Sequence, residues 1–127
     1  HRVGDEAEVA RGLAVAVDAA GLALEQRGQP ARQFCDGLLK GLGVETTYYD
    51  PLVGKGIAAL MRPNTRVVYT ESPGSQTVEV QDIPAIAAMA HRHDAAVLMD
   101  NTWATPYFFD ALSHGVDLSI QAGTKYI

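Results

Sequence analysis

From residue 31 onward, short β-rich runs alternate with stretches of helical period, and this alternation restricts the fold more than any other feature. The predicted strands are Val44–Tyr49 (VETTYY), Arg66–Thr70 (RVVYT), Ala95–Met99 (AAVLM) and Val116–Ile120 (VDLSI). Between them lie predicted helices over Arg32–Leu42, Val53–Met61, Ile83–His93 and Tyr107–His114. Asp82 is placed to cap the third of these, and Pro84 falls in its first turn, where a missing N–H does no harm. Strand–helix–strand units of this kind demand parallel strands joined by right-handed crossovers. The apolar runs are continuous rather than alternating, which fits strands covered by helices on both faces. The expected fold is therefore α/β, a three-layer α/β/α arrangement around a mostly parallel sheet.

The first 29 residues have a different texture, rich in Ala, Val, Gly, Arg and Glu with no aromatic side chain. Val9–Leu24 has enough Ala and Leu for a helix, although Gly12 and Gly21 weaken it by about 1 kcal/mol each. Two sections are therefore expected, 1–29 and 30–127. The chain begins at His1 and stops at Ile127 in an apolar context, so both ends read as cuts in a longer protein.

Composition removes several function classes. With 10 Lys+Arg against 15 Asp+Glu in 127 residues, the net charge is −5 and no basic cluster exists to hold nucleic acid or an anionic membrane. The single cysteine, Cys35, excludes an internal disulfide, and no His/Cys spacing suits a metal. No stretch reaches the length of a membrane span or a convincing signal peptide. A soluble cytoplasmic protein is expected.

In parallel sheets, ligands bind beyond the carboxyl ends of the strands. That rule selects Glu71, Asp100 and the turn Gln121–Lys125. Asp100 follows the AAVLM run, where desolvation is costly unless a cation or donor compensates it; a turn-capping role is equally open from position alone. Lys125 follows the small-residue turn Ala122-Gly123-Thr124, and a lysine desolvated there can form a Schiff base with a carbonyl. An ordinary surface lysine is the alternative. Together the two have a shared chemistry. An enzyme of pyridoxal 5'-phosphate (PLP) needs a lysine to hold the aldehyde and a carboxylate to keep the pyridine nitrogen protonated.

The run Asp100-Asn101-Thr102-Trp103-Ala104-Thr105-Pro106, followed by Asp117-Leu118-Ser119-Ile120-Gln121-Ala122-Gly123-Thr124-Lys125-Tyr126-Ile127, resembles the PLP signature of the transsulfuration (Cys/Met metabolism) enzymes. The resemblance extends from about Pro30 to Ile127. It implies part of the large domain of a fold-type I, aspartate-aminotransferase-like PLP enzyme. The loop Glu71-Ser72-Pro73-Gly74-Ser75, the Trp after Asp-Asn-Thr, and Ser-Ile-Gln-Ala before Thr-Lys resemble the bacterial cystathionine β-lyase branch. The implied reaction is β-elimination of L-cystathionine to homocysteine, pyruvate and ammonia, by a homotetramer. A γ-synthase or γ-lyase, and a non-catalytic truncated piece, are the alternatives.

Carried over by position, the resemblance makes Lys125 the Schiff-base lysine, Asp100 the partner of the pyridine nitrogen and Thr124 a neighbour of the phosphate. Ser72 and Ser75 line the equivalent loop, and Trp103 lies near the site or in the core. Two departures stand out. Ala122 occupies a place where relatives carry a phosphate-binding Ser. Gly28 occupies the place of a Tyr that stacks on the cofactor ring, and no Gly-rich phosphate turn precedes it. Residues 1–29 are therefore expected not to descend from the family's reading frame. Tyr48, Tyr49 and Tyr69 read as sheet packing, Cys35 as a helix core residue, and His91, His93 and His114 as surface positions.

Overall fold

The computed structural model describes residues 14–18, 30–75 and 78–125. Its centre is a 5-stranded sheet in the order β2-β1-β3-β4-β5, all of whose pairings are parallel. The strands are β1 (Ala14–Asp18), β2 (Glu45–Tyr49), β3 (Thr65–Glu71), β4 (Ala96–Asp100) and β5 (Leu118–Ile120). Helical segments join them: α1 over 30–41, α2 (Pro51–Leu60), α3 (Ile83–Arg92), α4 (Thr105–Phe108) and the single turn α5 (Leu112–His114). The strand order reverses between β1 and β3, as in other doubly wound sheets.

β1 corrects the expected helix over Val9–Leu24, within which Ala14–Asp18 is extended and paired on both sides. Intrinsic helix propensity is a weak preference, and parallel ladders on both sides outweigh it at an interior strand position. The rest of that expected helix lies outside the described residues.

The core lies between one face of the sheet and the α2–α3 layer. Alternate residues of β3 and β4, Val68, Val97 and Met99, meet Ile57 of α2 and Ile83, Ile86, Ala87 and Ala90 of α3. Asp82 caps α3 as anticipated, its carboxylate accepting from Ala85 N at 3.2 Å. The opposite residues of the same strands, Val67, Tyr69, Ala96 and Leu98, are only half-buried. Among the described residues the expected helical cover thus lies over β3 and β4 on one face, and over β2 alone on the other.

Helix α1 covers the other face at β2. Tyr48 donates to Asp36 Oδ1 at 2.8 Å, and Arg32 Nε donates to Asp36 Oδ2 at 3.1 Å. Burial first, and then the Asp36 carboxylate, push the Tyr48 phenol well above its ordinary value, so it remains a donor. Among the described residues of α1 only Cys35 is buried, whereas Phe34 and Leu38, and Leu42 just beyond the helix, are half-exposed. Phe34, Leu38 and Leu42 recur every fourth residue and so share one stripe, which lies beside the packed stripe of Cys35 and half-buried Leu39. The stretch Phe34–Leu39 is π-type.

Two further segments depart from expectation. α2 consists of short 3₁₀ pieces broken at Gly54 (φ 49, ψ −128), a backbone region that suits glycine. The expected helix Tyr107–His114 is split at Phe109, which is extended at φ −145 and ψ 104. Its first piece starts early, with Pro106 in the first turn, and its second ends at Gly115 in the left-handed region.

Asp117 ties the amino ends of β4 and β5 to α3. Its Oδ2 accepts from Val97 N at 2.7 Å and lies 2.9 Å from His91 Nε2. The Val97 N–H first, and His91 second, hold the Asp117 carboxyl below its ordinary value. A lowered folded-state value gives stability that is present above the unfolded value, about pH 4, and is lost as pH falls through the folded one. Asp117→Ala is expected to cost about 1 kcal/mol at pH 7, a modest figure because the pair is half-exposed to screening water. Urea titrations should show that difference shrinking below about pH 4. Gly115 adopts φ 90, and a Cβ there would sit 3.0 Å from Ala87 Cβ. Gly115→Ala should therefore cost about 2 kcal/mol in the same titration, from left-handed strain plus that clash.

Candidate functional site

Parallel register brings the carboxyl ends of three strands to one edge. Glu71 pairs with Asp100 across β3 and β4, and Asp100 with Ile120 across β4 and β5. Asp100 is half-buried as the last residue of β4. Lys125 ends the turn that follows β5, on the same edge, with its N–H donating to Ala122 O at 3.0 Å.

The two loops are stitched together. Asn101 N donates to Ile120 O at 2.9 Å, Gln121 Nε2 to Asn101 O at 3.4 Å, and Ala122 N to Thr102 Oγ1 at 2.8 Å. The chain segments carrying Asp100 and Lys125 therefore form one local unit. Thr102, which the sequence reading did not single out, is buried at 6% exposure. The available signal was an Asp-x-Thr step directly after a strand, the pattern of an aspartate turn.

Asp100 Oδ1 accepts from Thr102 N at 3.0 Å, so the turn-capping reading of this residue holds. It does not exhaust the carboxylate, whose Oδ2 has no hydrogen-bond partner among the described residues. Lys125, Thr124 and Gly123 are exposed. That exposure matches the surface-lysine alternative for Lys125 among the described residues. Ala122 takes part only through its backbone.

Ser72 and Ser75 serve the loop after β3. Ser72 is buried and its Oγ accepts from Gln81 N at 2.9 Å, while Ser75 hydrogen-bonds the Glu71 carboxylate. Trp103 is 52% exposed, which corrects its reading as a core aromatic: it sits in the turn after β4 rather than on a packed face. Tyr49 packs as expected, buried with its hydroxyl donating to Tyr69 O at 3.2 Å. Cys35 is buried, and His91, His93 and His114 are exposed. Gly28 lies outside the described residues.

A cavity of about 190 Å³ lies beside this edge, lined by Ser72, Pro73, Gln81, Met99, Ala104 and Phe109 among others. A larger one of about 570 Å³ is lined by Cys35, Asp36, Lys40, Glu45, Thr46 and Arg62 among others. The second borders β2, which β1 and β3 separate from β4. Arg62 already pairs there with Glu45 and Thr47.

The donor set at the carboxyl edge fits PLP. A half-buried carboxylate with an oxygen to spare suits a protonated ring nitrogen, an uncommitted lysine suits an aldehyde, and the Thr124 hydroxyl suits a phosphate. A hydroxyl is missing at Ala122.

Comparison with known proteins agrees. The family model described as "Cys/Met metabolism PLP-dependent enzyme" matches residues 25–127. A Rhizobium johnstonii protein is 64% identical over 97 residues, covering 76% of this chain and 24% of its own length. The Escherichia coli protein named cystathionine beta-lyase MetC is 48% identical over 101 residues, 78% of this chain and 26% of its own. A solved cystathionine gamma-lyase from Lactobacillus plantarum, complexed with L-serine, superposes with a TM-score of 0.78 at 29% identity, over 91% of this chain and 29% of that one. The chain spans about a quarter of the length of the curated relatives it matches. It belongs to the Cys/Met metabolism family of PLP-dependent enzymes, within the fold-type I superfamily.

Proposed function

We propose that these residues form the cofactor-binding edge of a carbon–sulfur lyase that performs β-elimination on L-cystathionine. The overall reaction is cystathionine plus water to homocysteine, pyruvate and ammonia. The observation that carries it is that Asp100 at the end of β4 and Lys125 in the turn after β5 lie at the carboxyl end of the sheet, in segments joined by hydrogen bonds. The relatives named cystathionine beta-lyase in Escherichia coli, Salmonella typhimurium and Haemophilus influenzae, at 46–48% identity, support the β branch.

Bound PLP supplies an electron-withdrawing ring that accepts the electron pair released at the substrate Cα. Asp100, through its uncommitted Oδ2, would hold the ring nitrogen in its protonated form. Lys125 would hold the cofactor by its aldehyde carbon, and its Nζ, when free, would take the substrate Cα proton as general base. The substrate Cβ–S bond then breaks and the sulfur departs as thiolate. Thr124 would hold the phosphate by its hydroxyl. A homotetrameric assembly belongs to the same proposal.

A second reading, elimination at Cγ, draws on the solved Lactobacillus plantarum cystathionine gamma-lyase. The product separates the two: a longer protein containing this chain should release pyruvate from cystathionine, and 2-oxobutyrate in its place overturns the β assignment. Lys125→Ala should lower that turnover by at least ~10²-fold. It should also abolish borohydride trapping of PLP on the Thr124–Lys125 peptide, and trapping that persists removes the assignment of Lys125.

A further inference from the structure

We propose that Thr102 is a positioning residue that sets the Asp100 carboxylate and the Lys125 turn relative to each other; this rests on the PLP reading above. A continuous path of hydrogen bonds joins the two. Thr102 N donates to Asp100 Oδ1 at 3.0 Å, Thr102 Oγ1 accepts from Ala122 N at 2.8 Å, and Ala122 O accepts from Lys125 N at 3.0 Å.

The geometry explains why a side chain is needed. Asn101 N donates to Ile120 O, one residue beyond the last paired residue of β4. At residue 102 the backbone turns away, and no carbonyl of that segment continues toward Ala122. The Thr102 hydroxyl oxygen takes the place of that carbonyl and extends the bonding by one step. The same residue's N–H fixes one oxygen of Asp100, leaving the other for the ring nitrogen. Burial at 6% exposure keeps water from competing for the Thr102 bonds. Position 122 contributes through its N–H and C=O alone, so alanine serves there for this purpose.

The test uses the full 127-residue chain with Thr102→Val and Thr102→Ser. Valine keeps the shape and removes the acceptor, while serine keeps the acceptor. Amide hydrogen exchange at Ala122, read by NMR, should be slow in the unsubstituted chain and in the serine variant. In the valine variant it should be about fivefold faster, with the core amide of Val68 unchanged as the internal control. PLP titration, read by borohydride trapping at Lys125, should show weaker binding in the valine variant by a similar factor and recovery with serine.

Unchanged Ala122 exchange in Thr102→Val, or an unprotected Ala122 in the unsubstituted chain, overturns the inference and leaves the PLP reading standing. A valine variant with fast Ala122 exchange but undiminished PLP binding also overturns it, because the bond would then be structural only. Failure of the unsubstituted chain to trap PLP at Lys125 overturns the functional reading and this role together, and is recognised by a normal exchange pattern.

Discussion

The parallel ladder that pairs Glu71 with Asp100 and Asp100 with Ile120 is the constraint on which the site depends. Side chains alternate across a strand, so a slip of one residue would send the Asp100 carboxylate to the opposite face of the sheet. The register is held by the buried residues of the packed face, Val68, Val97 and Met99, which must all meet α2 and α3. A slip would expose them together. The position of a polar group at the edge is thereby fixed by apolar burial several residues away.

Much of this was readable from residue types. AAVLM and RVVYT announced β4 and β3 because β-branched and apolar residues crowd into runs too short for helices, and Asp82 with Pro84 announced α3. β1 was not readable. AVAVD carries two alanines that suit a helix, and its extended state depends on partners supplied by β2 and β3, which no local pattern reveals. The exposure of Phe34, Leu38 and Leu42 was not readable either, because an apolar stripe at helical spacing does not show which part of it a neighbour will cover. At the site, Asp100 and Lys125 were legible because each follows a strand and carries a charge. Thr102 was not, since a buried hydroxyl acting on a neighbouring loop looks like any other turn residue.

The two faces of the sheet are used differently. One is filled with aliphatic side chains and carries the packing energy. The other receives the Arg32–Asp36–Tyr48 cluster, a polar attachment of α1 to β2. Ionic contacts at such half-exposed positions contribute little to stability but fix how one element sits on another. Packing strength and loop placement are therefore assigned to opposite sides of one layer.

β5 is only three residues long, yet it is fastened near both ends: Asp117 reaches Val97 just before it, and Ala122 reaches Thr102 just after it. The intervening excursion through Tyr107 and Phe108, which are 86% and 80% exposed, is closed off by those two fastenings. The base of that excursion is itself held, with Asn101 Nδ2 donating to Phe109 O at 3.0 Å and Ala111 buried in the core, so tolerance to insertion or deletion is confined to the exposed tip at residues 107 and 108.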